Sequence, residues 1–88
     1  MADKQKIVLV VGGIELIFEP NTTAYNGFIN EVGMENKIAP AFKYLRRIIS
    51  KETKEALDEI LKAPGAALQL IEKVNKVYAP ELEIEVKN

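Results

Sequence analysis

Gly12-Gly13 stands between two short runs rich in β-branched and aliphatic residues, Ile7–Val11 and Ile14–Phe18. No other feature of the chain restricts its fold so tightly. Glycine reaches positive φ without steric cost, so a two-residue loop of this kind favours a type I′ or II′ turn and a tight antiparallel hairpin. The loop length also sets the register. Val11 then faces Ile14, Leu9 faces Leu16 and Ile7 faces Phe18, and all six share one face because side chains alternate along a strand. The other face pairs Val10 with Glu15, Val8 with Ile17 and Lys6 with Glu19. The last is an opposite-charge cross-strand contact worth roughly 0.2–1 kcal/mol. The first face is wholly apolar and must be covered.

A lone hairpin is marginal in water, and a third strand is the usual remedy. Residues 81–87 read Glu-Leu-Glu-Ile-Glu-Val-Lys. That is a strict period of two, with Leu82, Ile84 and Val86 on one side and Glu81, Glu83 and Glu85 on the other. The pattern predicts a C-terminal strand that closes a three-stranded antiparallel sheet, its glutamates discouraging sheet-to-sheet aggregation.

The middle of the chain reads as helical. Asn21 or Thr22, after Pro20, can cap a first helix carrying Tyr25, Phe28, Ile29 and Val32 at i, i+3, i+4 and i+7. Gly27 weakens that helix by about 1 kcal/mol relative to Ala, and Gly33 is a natural stop. A linker over residues 34–39 leads to Pro40, which suits a first helical position. Phe42, Leu45, Ile48 and Ile49 give a second buried stripe. Ser50 can cap a third helix over residues 51–62, with Ala56, Leu57, Ile60 and Leu61 inward. Its outer face sets Lys51 four residues from Glu55, Lys54 from Asp58 and Asp58 from Lys62. Ala63-Pro64-Gly65 breaks this helix. A fourth starts near Pro64, carries Leu68, Ile71, Val74 and Val77 or Tyr78, and ends before Pro80. The order β-β-α-α-α-α-β segregates strands from helices, which is the mark of an α+β fold. The 88 residues make one domain, residues 1–88.

Composition narrows the chemistry. There is no Cys and no His, so disulfides, thiol chemistry, the commonest general base near neutral pH and the commonest metal ligand are all missing. A zinc site would need carboxylates alone. Ser50, the only serine, lies in no G-x-S-x-G setting, and helix capping explains it. Glu81, Glu83 and Glu85 form a strand face rather than a wrapped calcium loop. Val11-Gly12-Gly13-Ile14 lacks the spacing of a phosphate loop and is followed by a strand. No catalytic, cofactor or metal residue is assigned, and the chain is expected not to be an enzyme. The formal net charge of −1 argues against nucleic acid and anionic membranes as partners. The apolar run Ile7–Val11 is too short for a signal core or a membrane span, so synthesis in the cytoplasm is the default. Lys43, Arg46 and Arg47, with Lys51 nearby, form the one basic cluster. A solvated helix face explains it, and an acidic protein segment is the functional alternative. These three residues are the candidate partner-binding site.

An ordered set of segments carries a resemblance over nearly the whole chain. It runs from the strand-Gly-strand opening that ends in Leu16-Ile17-Phe18-Glu19-Pro20, through Thr22-Thr23-Ala24-Tyr25-Asn26 and Phe28-Ile29-Asn30-Glu31. It continues with Lys37-Ile38-Ala39-Pro40-Ala41, Leu45-Arg46-Arg47 and Pro64-Gly65-Ala66-Ala67-Leu68-Gln69. It closes on Tyr78-Ala79-Pro80-Glu81-Leu82-Glu83-Ile84. The set resembles the small tail assembly chaperones of tailed bacteriophages and prophages.

The resemblance implies a role in tail morphogenesis. Chaperones of that kind act on the tape measure protein, a very long helical chain, and keep it soluble until tail tube subunits replace them. They work in the host cytoplasm, are not usually kept in the mature virion, and often exist also in a longer frameshifted form. It implies self-association along a long partner, no cofactor and no catalytic residue. A structural or adaptor tail protein retained in the virion, and a small regulatory binding module, are the alternatives.

Overall fold

The computed structural model describes residues 5–87. Strand β1, Ile7–Val11, and strand β2, Ile14–Phe18, form an antiparallel pair with the expected register, Val11 opposite Ile14 and Ile7 opposite Phe18. Gly12 and Gly13 both take positive φ, 58° and 85°. Two successive left-handed residues define a type I′ turn, whose twist matches that of the strands it joins. Lys6 Nζ reaches Glu19 Oε2 across the hairpin at 3.8 Å.

Helix α1, Thr22–Glu31, starts where Asn21 Oδ1 accepts the Ala24 N–H at 2.8 Å. It ends at Glu31, two residues before Gly33. That glycine instead exchanges backbone hydrogen bonds with Asn36 around Met34-Glu35. Helix α2, Ile38–Ile48, begins ahead of Pro40, which occupies its third position rather than its first. The first four N–H groups of a helix have no intrahelical acceptor, so proline costs little anywhere in that turn. A 3₁₀ turn, Lys51–Thr53, and helix α3, Lys54–Ile60, replace the continuous third helix expected over residues 51–62. Helix α4, Ala66–Tyr78, follows Gly65 at φ 78°.

Ser50 does not cap through its side chain. Its hydroxyl sits 2.9 Å from Thr53 Oγ1, which accepts the Ile17 N–H at 3.2 Å. The Ser50 N–H donates to the Ile17 carbonyl at 2.8 Å, and the Glu19 N–H donates to the Ile48 carbonyl at 2.7 Å. The segment after α2 therefore occupies the outer edge of β2.

The expected third strand does not form. Among the described residues the sheet has two strands, and residues 80–87 are exposed and without regular structure. The connection accounts for this. The N-terminal half of α4 lies by the hairpin turn, where Ala66, Leu70 and Lys73 share a cleft with Val10 and Val11. Its other end lies beside the start of α1, four residues past the hairpin base, with Tyr78 Oη standing 3.4 Å from Thr22 Oγ1. An antiparallel strand along β1 must begin at the turn, about 17 Å from the base for a five-residue strand. Ala79 and Pro80 carry the chain from Tyr78 to Glu81 by about 11 Å at most.

One contiguous core joins the hairpin to the helices. Leu16, Phe18, Leu45, Leu57 and Val74 are wholly buried, with Ile7, Tyr44, Ile48, Leu70 and Ile71 around them. Each such side chain contributes roughly 1.5–3 kcal/mol of transfer free energy. Cover over the apolar hairpin face is complete at the base and thins toward the turn. Leu9 and Val11 are half-buried and Ile14 is 47% exposed. Two helices match their expected faces only in part: Ile71 and Val74 of α4 are buried and Tyr25 and Phe28 of α1 pack against the core, as expected. Ile29 of α1 is exposed while Ala24 is buried; in α4, Leu68 and Val77 are exposed while Ala67 and Leu70 are buried.

Candidate functional site

Lys43, Arg46 and Arg47 lie at i, i+3 and i+4 on α2, opposite the stripe formed by Ala41, Tyr44, Leu45 and Ile48. The structure brings all three to one exposed ridge, but their charges are unequally free. Lys43 Nζ meets Glu31 Oε2 of α1 at 2.9 Å, and Arg46 Nη2 meets Asp58 Oδ1 of α3 at 3.3 Å. The second pair lacks hydrogen-bond alignment, so that buried carboxylate oxygen has a partner by charge alone. Among the described residues Arg47 makes no ion pair. None of the pairs expected along the third helix forms among those residues, since Asp58 turns to Arg46 and Glu59 to Lys62.

Arg47 folds over α1 at Gly27. A Cβ placed there would stand 3.4 Å from Arg47 Nη1. The glycine that weakens α1 is thus the point where the guanidinium crosses it. A small cleft of about 70 Å³ opens beside this crossing, lined in part by Phe28, Glu31, Lys43, Tyr44 and Arg47. A wider groove along the same ridge is bounded by Ala39, Phe42, Lys43, Arg46 and Arg47. Apolar surface and cationic edges therefore alternate along α2.

Beneath the ridge lies an aromatic cluster. Phe28 stacks on Tyr44 at 5.2 Å between centroids, and Tyr25 meets Tyr44 and Tyr78 edge-on at 6.3 and 5.9 Å. The Tyr44 hydroxyl is buried with no hydrogen-bond partner among the described residues. Burial foremost, then the neighbouring phenols of Tyr78 and Tyr25, push its pKa up to about 12. Sequence reasoning missed Tyr44, Glu31 and Asp58. Tyr44 had a signal, three residues after Ala41 and four before Ile48. The two carboxylates had none, because their partners lie on other helices.

Among the described residues no group of three or more carboxylates is placed to hold a metal ion, and Glu81, Glu83 and Glu85 are all exposed. No helix among them is long and apolar enough to cross a membrane.

The fold is a small α+β module with a basic, partly apolar ridge along α2. Its family is that of the phage tail assembly chaperones, to which the chain belongs: the family model matches residues 7–88. The chain is also 41% identical over 85 residues to a protein of Haemophilus phage HP1 (strain HP1c1) described as an uncharacterized 11.3 kDa protein in the lys 3′ region. That match covers 97% of this chain and 83% of the relative. No solved structure matches.

Proposed function

We propose that this chain binds the tape measure protein during phage tail assembly and keeps that long helical chain soluble until tail tube subunits displace it. The observation that carries the reading is the family match from residue 7 to residue 88. The α2 ridge is the contact surface in this proposal. An amphipathic helix can lay apolar side chains along Ala39 and Phe42 while its carboxylates meet Lys43, Arg46 and Arg47. The work is done in the host cytoplasm by binding, and the chain leaves before the virion is complete.

Co-expression with a tape measure protein from the same phage tests the function. The expected result is a several-fold rise in soluble tape measure protein that co-purifies with this chain. Equal insolubility with and without it refutes the proposal. The paired substitution Arg46→Glu with Arg47→Glu tests the surface: co-purification should fall several-fold while the chain's own melting temperature moves little. Undiminished capture by that variant would place the contact elsewhere.

A further inference from the structure

The two edges of the hairpin are not equivalent. In a two-residue hairpin the residues flanking the turn form a hydrogen-bonded pair, so Val11–Ile14, Leu9–Leu16 and Ile7–Phe18 exchange backbone bonds. The backbone groups of Ile17 on β2, and of Val8 and Val10 on β1, point outward. On β2 the half of that edge nearer the base is taken, since Ile17 donates to Thr53 Oγ1 and accepts from the Ser50 N–H, while Glu15 near the turn has no partner among the described residues. On β1 it is open. The Val8 and Val10 N–H and C=O groups find no partner among the described residues, and their side chains are 50% and 64% exposed. An apolar cleft of about 320 Å³ runs beside this edge, walled by Val10, Val11, Ile60, Pro64, Ala66 and Leu70 among others.

The same molecule carries a segment with the complementary lack. Residues 81–87 alternate strictly, and Leu82, Ile84 and Val86 are 71%, 79% and 84% exposed. An open edge and an unpaired alternating segment are the two halves of strand addition. The reach from Tyr78 is too short for a chain to place this segment antiparallel on its own β1. A second copy is under no such limit.

We infer that residues 81–87 of one copy add as a strand to the free β1 edge of another, with Leu82, Ile84 and Val86 over the apolar cleft and the glutamates toward solvent. Each copy has one segment to give and one edge to fill. Reciprocal exchange closes a pair, and successive exchange builds a row. This holds independently of what the α2 ridge binds.

The experiment is sedimentation and hydrogen exchange on the full chain across a wide concentration range. The intact chain is expected to associate as concentration rises, with the Val8 and Val10 amides becoming protected. Removing residues 81–88, or substituting Ile84→Asp, should abolish association and that protection without shifting the melting temperature of the dilute monomer. Val10→Pro removes an outward N–H while sparing the pairing with β2, and edge strands tolerate proline. It too should be monomeric. Mixing Val10→Pro with the chain lacking residues 81–88 should give a one-to-one complex, because each supplies what the other lacks. The inference is overturned if the intact chain stays monomeric at every concentration. It is also overturned if the chain lacking the segment associates as the intact chain does. A monomer whose Val8 and Val10 amides are already protected overturns it as well, since its own segment would then hold the edge in parallel.

Discussion

Tyr44→Phe deletes one oxygen and should make the protein more stable. The hydroxyl is buried, with no acceptor or donor among the described residues, while the ring stacks on Phe28 and meets Tyr25. Phenylalanine keeps the ring. Burying a hydroxyl without a partner costs about 1–3 kcal/mol by comparison with other proteins. The void left by a single oxygen returns only a few tenths of that. The variant should gain about 1–2 kcal/mol at neutral pH, or about 4–8 °C in melting temperature per kcal/mol for a domain of this size.

Alkaline pH adds a second, independent leg. The folded-state pKa of Tyr44 is raised from 10.0 to about 12. A raised pKa means that the folded state holds its proton more tightly than the unfolded chain. The stabilisation is present in full below pH 10 and is lost as pH climbs toward 12. At about 1.4 kcal/mol per unit, that is a loss on the order of 3 kcal/mol which Tyr44→Phe does not suffer. Urea unfolding of both proteins at neutral pH and in steps from pH 9 to pH 12 reads both legs. The reasoning is refuted if the variant is less stable by about 1 kcal/mol or more at neutral pH, because the hydroxyl must then be satisfied. A stability difference that stays constant through the alkaline range would refute the second leg.

Two further substitutions probe local arguments. Gly27→Ala should stabilise by about 0.5–1 kcal/mol through helix propensity, because the new Cβ meets only the mobile end of Arg47; thermal melts showing a loss instead would mean that the guanidinium cannot move aside. Thr53→Val removes the acceptor for the Ile17 N–H and should cost about 1–3 kcal/mol, with faster exchange of the Ile17 amide as the specific sign; an unchanged Ile17 exchange rate would show that the bond contributes nothing to that edge.

Local chemistry was legible in the sequence where a short stretch determines its own geometry. Gly12-Gly13 defined a register that the structure reproduces pair for pair, and Asn21 caps α1 as its position suggested. Features settled by distant residues were not legible. The alternation of residues 81–87 states which side chains share a face if a strand forms. It says nothing of whether an edge lies within reach, and the direction of α4 puts the edge out of reach in the antiparallel sense. In α4 Ile71 and Val74 are buried as read, but Leu68 and Val77 are exposed where Ala67 and Leu70 are covered, and in α1 Ala24 is covered where Ile29 is not, because Leu68 and Val77 are as apolar as Leu70. Only the neighbouring elements decide which of them is covered.

The basic ridge shows the same distinction with a consequence for binding. In the sequence Lys43, Arg46 and Arg47 are three cations on one helix face. In the structure Glu31 and Asp58 already answer two of them. Those pairs are substantially exposed, and exposed pairs contribute about 0–1 kcal/mol. An acidic partner can therefore displace Glu31 from Lys43 at little cost and with correspondingly little gain. If the ridge is the contact surface proposed above, its charge would steer and orient a partner and reject a basic one. Net affinity has to come from apolar contact along Ala39 and Phe42. It follows that raising the salt concentration should slow association far more than it speeds dissociation. Substitution of Phe42 should act in the opposite proportion.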